Sequence, residues 1–167
     1  MSFLTVCLDS SHIKNEFSCG KEMLDNYIQK QASQDTKRKL SACFVLAGAD
    51  KKVQGYFTLS NSSIPLEMVP DSFRKRLPKS YTSIPTSLLG RLAIDSKYKG
   101  KGIGRNLLVE ALKRCHLISK EIGSYAVIVD PIDEDAENFY VKYGFIKLPD
   151  SGKMFLPMKT VGQLFPN

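Results

Sequence analysis

The 167-residue sequence predicts a mixed α/β fold, an α+β sheet carrying helices, within one domain spanning residues 1–167. Three observations lead to this class. Short β-type runs alternate with helical periodicities along the chain, in the order β-α-β-β-β-α-β-α-β-β. One run, "SYAVIVDP" at 124–131, is apolar without alternation, as in a strand buried on both faces. No internal repeat, low-complexity tract or linker interrupts the series.

Each element has its own signal. "FLTVCL" at 3–8 reads as a short strand. After "FSCG", residues Met23, Leu24, Tyr27, Ile28, Gln31 and Ala32 recur with helical spacing, and the polar "SQDTKRK" reads as the exit from that helix. "LSACFVLAG" at 40–48 and "VQGYFTLSNSSI" at 53–64 flank the turn "DKK" and form a hairpin. Pro65, Pro70, Pro78 and Pro85 punctuate an irregular stretch that contains one short helix around "DSFRKRL". "TSLLGRLAID" resumes as a strand. A helix follows from about Gly102, with Ile103, Leu107, Leu108, Ala111, Leu112 and Cys115 on one stripe. "DEDAENFYVKYGF" is an acid-led helix, favourable for the helix dipole, with Gly144 at its C-terminal end. "FIKL" and "MFLPM" close the chain as a hairpin.

Composition narrows the function. No apolar run approaches the ~18 residues a membrane helix needs, and "MSFLTVCLDS" has neither a basic leader nor a cleavage signature, so a cytoplasmic protein is expected. Cys7, Cys19, Cys43 and Cys115 are far apart, with no metal-binding spacing; reduced thiols and no metal are expected. The net charge of +7 is unevenly placed. From Asp71 to Arg105 there are nine basic residues (Arg74, Lys75, Arg76, Lys79, Arg91, Lys97, Lys99, Lys101, Arg105) against Asp71 and Asp95, while the other segments hold fifteen of each sign. Such a cluster raises the local concentration of anionic ligands, and equally serves as a solvated basic face.

Within that stretch, Lys99-Gly100-Lys101-Gly102-Ile103-Gly104-Arg105 joins a strand to a helix. A dinucleotide fingerprint needs glycine where Arg105 stands, and a P-loop needs a terminal GK[ST]. What remains is a glycine loop at a helix mouth. Its free N–H groups and the positive dipole end suit an anion, although glycines there also form plain turns.

Read with two further pieces, the loop acquires a family. "KGKGIG" resembles the [Q/R]-x-x-G-x-[G/A] signature of GNAT-family acyltransferases, with Lys99 in the Gln/Arg slot. "AENFYVKYGF" resembles that family's A-x-x-[FL]-Y-x-x-x-G-F element. The resemblance implies the GNAT acyl-CoA N-acyltransferase fold with splayed central strands, and acetyl-CoA as co-substrate. The pyrophosphate falls to the backbone of Lys99, Gly100, Lys101, Gly102, Ile103, Gly104 and Arg105, and the pantetheine arm to that of Leu92, Ala93 and Ile94. Asn138 is a further cofactor candidate. Tyr140 matches the tyrosine that protonates the departing thiolate. A phenol of pKa about 10 donates reasonably to a thiolate whose acid has pKa about 8.5. Asp133 departs from the family, standing where many members carry Asn.

"FSCGKEMLDNYIQKQA", "VQGYFTLSNSSIP" and "IPTSLLGRLAID" further resemble the GNAT branch that includes toxins of toxin–antitoxin modules. The branch acetylates the α-amino group of aminoacyl-tRNA, is silenced by a small DNA-binding antitoxin, and commonly forms homodimers. Such an acceptor amine, with pKa near 8, needs little base assistance, whereas a lysine at about 10.4 needs a base. Asp95 and Glu67 are the base candidates, with Ser60 and Ser62 as polar liners. Arg91, Arg74, Lys75 and Arg76 are expected to contact substrate. The alternatives are a GNAT enzyme acting on a small-molecule or protein amine, and a non-catalytic module binding CoA or nucleic acid.

Overall fold

The computed structural model describes residues 2–166. Strand β1 is Val6–Cys7, shorter than the run at 3–8 suggested. Helices α1 (Glu22–Asn26) and α2 (Ala32–Lys37) are joined by a π-helical turn, Tyr27–Gln31, so helix continues through most of "SQDTKRK". Strands β2 (Ala42–Ala47) and β3 (Val53–Pro65) form the expected hairpin, with Ala42 opposite Leu59 and Val45 opposite Tyr56. The proline-rich stretch carries a 3-10 turn, Leu66–Met68, and the short helix α3 (Asp71–Arg74). Strand β4 (Ser83–Ile94) starts three residues before "TSLLGRLAID". After a 3-10 turn at Ser96–Tyr98 come α4 (Ile103–Ile118), β5 (Ala126–Val129) and α5 (Glu134–Lys142). Strands β6 (Ile146–Lys147) and β7 (Met154–Pro157) end in α6 (Met158–Gln163), a helix that the sequence pattern did not predict.

The strands form one mixed sheet in the order β1-β2-β3-β4-β5-β7-β6. β4 and β5 are parallel, with Ser87 opposite Val127 and Leu88 opposite Ile128. β5 is buried at all four positions, as its unbroken apolar run required. β7 lies antiparallel to both β5 and β6.

The chain folds as two compact units. The first comprises residues up to Ser60 with Leu89–Ala111. Its core gathers Phe17, Leu24, Tyr27, Ile28, Val45, Tyr56 and Ala93. The Tyr56 hydroxyl donates to the Leu24 carbonyl at 2.7 Å, which ties β3 to α1 without leaving a buried hydroxyl unpaired. Glu110, buried on α4, accepts from the amides of Leu4 and Thr5 and so holds the N-terminal segment. Gly55 admits α4 closely, since a Cβ there would meet the Leu107 side chain at 2.8 Å.

The second unit comprises Asn61–Leu88 with Leu112 onward. Ile64, Val69, Ile84, Ala126, Ile128, Leu148 and Phe155 form its core, with Phe73 edge-on to Phe155 at 5.3 Å. Here the prolines have a structural role that periodicity could not show. Pro70 and Pro157 occupy the N-cap positions of α3 and α6, where the chain turns from extended backbone into helix at a φ of −56° that the proline ring favours.

Candidate functional site

In the first unit, β4 runs through Arg91, Leu92, Ala93 and Ile94 toward the glycine loop. Ala93 is buried, while Arg91, Leu92 and Ile94 are half-buried. Asp95 follows, buried, with its carboxylate receiving the amides of Ser18 at 3.2 Å and Lys97 at 2.9 Å. It caps the 3-10 turn, so Asp95 is a structural acceptor and not a base open to solvent.

The loop itself rests on its two left-handed glycines. Gly100 has φ +82° and Gly102 φ +75°, conformations that side chains rarely adopt. A Cβ built at either position meets nothing within 4 Å, so this backbone faces open space. The first intrahelical bond of α4 runs from the Asn106 amide to the Gly102 carbonyl at 3.2 Å. The amides of Ile103, Gly104 and Arg105 therefore precede the helical ladder, at the positive end of a sixteen-residue helix with no acid in its first turn. Lys99 is not a free cation. Its Nζ donates to the Cys19 carbonyl at 2.6 Å and holds the loop against the turn at Gly20. Lys101 lies 5.5 Å over the Tyr98 ring, and Arg105 is exposed.

Arg91 stacks on Tyr27, its guanidinium carbon 3.5 Å from the ring centre. The Tyr27 hydroxyl donates to Asp35 at 2.9 Å, and burial together with that carboxylate pushes the phenol up to about 12. Periodicity placed Tyr27 on a core stripe and gave no sign of this partnership.

In the second unit, α5 presents Tyr140 to the interior. It is 7% exposed and packed edge-on against Phe139 at 5.3 Å and Phe145 at 5.1 Å. Burial pushes its phenol well above the ordinary value. Tyr143 packs on Phe139 at 5.0 Å, and Asn138 is exposed. Asp133 is the N-cap of α5, accepting the Ala136 amide at 2.9 Å. This gives Asp133 a structural use that Asn would serve equally, because both residues cap helices well. Among the basic residues, Arg74 is paired with Asp71 and donates to the Glu67 carbonyl at 3.1 Å. Lys75 and Arg76 are exposed. The cluster that is contiguous in sequence is thus divided, with Arg74 to Lys79 in the second unit and Arg91 to Arg105 in the first. Glu67 is exposed, and Ser60 and Ser62 are half-buried. Among the described residues no group of three or more His, Cys, Asp or Glu could hold a metal ion, and no helix is long and apolar enough to cross a membrane.

A mixed sheet whose β4 leads through an open glycine loop into a long helix defines an α/β protein with a helix mouth suited to an anion. Comparison makes the class specific: residues 11–160 match the model of the acetyltransferase (GNAT) domain, and the chain belongs to that family. It is an N-acetyltransferase with acetyl-CoA as co-substrate. Among curated relatives, a tRNA-acetylating toxin of Mycobacterium tuberculosis is 35% identical over 149 residues, covering 89% of this chain and 87% of that protein. Among solved structures, AtaT complexed with acetyl-methionyl-tRNAfMet superposes with a TM-score of 0.89 at 29% identity, covering 97% of this chain and 98% of the other. A mutant AtaT toxin bound to the C-terminus of the antitoxin AtaR and acetyl-CoA gives a TM-score of 0.82 at 26% identity, with 98% of each chain covered.

Proposed function

We propose that this protein transfers the acetyl group of acetyl-CoA directly to the α-amino group of aminoacyl-tRNA, as the toxin of a toxin–antitoxin module. It acts in the cytoplasm as one domain spanning residues 1–167, with a small DNA-binding antitoxin as its silencing partner. The observation that carries the reading is the glycine loop at the mouth of α4, in a chain 35% identical to a tRNA-acetylating toxin.

The residues fit an acyl-CoA. Backbone amides from Gly100 to Arg105 cradle the pyrophosphate, the Lys99 amide being taken by the Ser96 carbonyl at 3.4 Å, and the open space beside Gly100 and Gly102 lets its oxygens approach the main chain. Leu92, Ala93 and Ile94 offer strand backbone to the pantetheine amides. β4 pairs with β5 at Ser87 and Leu88, before this segment begins. When bound, acetyl-CoA supplies a thioester carbonyl as the electrophile. Tyr140 holds a proton for the departing thiolate, and its burial keeps the phenol protonated throughout the neutral range. The acceptor is an α-amine of low basicity, so the structural use of Asp95 as a turn cap leaves the chemistry intact.

Incubating the protein with radiolabelled acetyl-CoA and charged tRNA tests this reading. Label on the aminoacyl group, released by mild base with the amino acid, is the expected result. Label confined to polyamines or proteins overturns it.

A further inference from the structure

Along β3, Thr58 and Ser60 alternate with Phe57 and Leu59, so two hydroxyls share one face of the strand. Their neighbours fix which face it is. Gly55 turns toward Leu107 of α4, whereas Tyr56 turns the other way and donates to the Leu24 carbonyl of α1. Thr58 shares the side of Tyr56, away from α4. It is 1% exposed, and among the described residues its hydroxyl has no hydrogen-bond partner. A buried hydroxyl left unpaired costs stability, so valine would serve this position better if packing were its only task.

On β4 the residue beside Thr58 is Gly90. It is exposed, and a Cβ there would lie 3.0 Å from Thr58 Oγ1, so a side chain at this position would press on the hydroxyl. Glycine puts none over it. The place along β4 matters as much. The pantetheine arm assigned to Leu92, Ala93 and Ile94 starts from the glycine loop and runs back along the strand. Its acetyl end therefore comes to the level of Arg91 and Gly90, beside Thr58 and within the same compact unit. α4 covers the opposite face at Gly55, which leaves the Thr58 face for the acceptor.

We infer that Thr58 is a further catalytic residue of the acetyl transfer: its Oγ1 accepts an N–H of the attacking amine and aims the nitrogen lone pair at the thioester carbon. The inference rests on the acetyl-CoA reading of the loop and of β4. As the N–C bond forms, the carbonyl pair moves to oxygen and the nitrogen becomes cationic. Its N–H bond to Thr58 is then charge-assisted, stronger in the transition state than before it. The nitrogen afterwards loses a proton to water. The carbonyl re-forms as the C–S pair leaves on the thiolate, which takes the proton held by Tyr140.

Thr58→Val keeps the β-branched shape and removes the hydroxyl. Steady-state acetylation of charged tRNA should show kcat lower by about tenfold or more, the worth of one hydrogen bond to a charged group. The calorimetric Kd for acetyl-CoA should stay at the wild-type value. Without ligands, the melting temperature of the variant should equal or exceed that of wild type, because no group inside the protein loses a partner. Thr58→Ser retains the hydroxyl and should keep most of the rate. The control Thr86→Val removes another buried threonine hydroxyl without a partner among the described residues, about 13 Å along β4 from Gly90. It should leave the rate unchanged. A full rate in Thr58→Val, an equal loss in Thr86→Val, or a lowered melting temperature in Thr58→Val would each remove Thr58 from the reaction. A wild-type protein that neither binds acetyl-CoA nor labels charged tRNA defeats the function reading itself. A wild type that does both, beside a fully active Thr58→Val, defeats only the role of Thr58.

Discussion

Tyr140 is held by two demands on one hydroxyl. The aromatic cage of Phe139 and Phe145 buries the ring, and the same burial raises the phenol's affinity for its proton. A phenol pushed upward is protonated at every pH the enzyme meets, so it is always ready to donate but is a weaker acid. Tyr140→Phe keeps the packing and removes the donor. We expect kcat to fall about 100-fold, the scale of a lost general acid, with the melting temperature within a few degrees of wild type. Full activity in steady-state assays would remove Tyr140 from the mechanism. The direction of the shift also fixes a pH outcome. Below pH 10 the wild-type rate should show no alkaline fall with a deuterium-sensitive phenol signature, and any fall there belongs to another group. The cysteines separate at the same scale. Cys7 is exposed, whereas Cys19, Cys43 and Cys115 are buried, and burial pushes their thiols up to about 11, 12 and 12. Iodoacetamide at pH 8 should therefore label one site in the native protein, read by intact mass, and four after denaturation.

Helix ends carry most of what the elements contribute to function. At the mouth of α4, Gly102→Val has two separable effects. The β-branched residue is strained at φ +75°, which lowers stability by about 1 kcal/mol or more. Its side chain also enters the open space that the glycine leaves for an approaching phosphate. Calorimetric titration of acetyl-CoA should show at least a tenfold weaker Kd, beyond what partial unfolding explains. Unchanged affinity would place the cradle elsewhere. At the start of α5, Asp133 supplies a cap that Asn supplies equally. Asp133→Asn should melt within a few tenths of a kcal/mol of wild type, and Asp133→Ala about 1 kcal/mol lower. A large loss in the Asn variant would mean that the charge of Asp133, and not its capping oxygen, is what the helix needs. The helix starting at Glu22 shows where element-level reading fails. Its apolar positions fit helical spacing up to Ala32, but the π-helical turn shifts the register and the polar residues after it read as a loop. The turn also brings Lys30, Gln31 and Arg38 to one groove, an arrangement that a period of 3.6 cannot encode.

Across the whole molecule, the legible parts were those where one local signal dominates. β5 was readable from its unbroken apolar run, the β2–β3 hairpin from its turn, and the loop of α4 from its glycines. Long-range pairings were not readable. The Arg91–Tyr27 stack, the Lys99 bond to Cys19 and the capping use of Asp95 join residues up to eighty positions apart, and the last gives a structural role to a carboxylate that sequence offered as a base. Folding also buries groups that ionise only at high pH, which gives the molecule a shared alkaline limit. Cys43 and Cys115 stand at about 12 in the folded chain against an ordinary 9.0, chiefly through burial, and Tyr27 at about 12 against 10.0. Where the folded value is raised, the unfolded chain loses its proton first, so the folded state binds more protons and stability declines with rising pH. For the thiols this contribution is complete below pH 9 and is lost progressively toward pH 12. The net charge acts in the opposite sense over the lower part of the range, since the chain approaches neutrality near its pI of about 9.2 and self-repulsion fades. The melting temperature should therefore hold or rise slightly from pH 7 to 9 and then fall steeply from 9 to 12. In Cys43→Ala/Cys115→Ala the protein starts less stable because two buried side chains are truncated, but its decline above pH 9 should be shallower. A parallel decline in variant and wild type would show that the buried thiols do not set the alkaline limit.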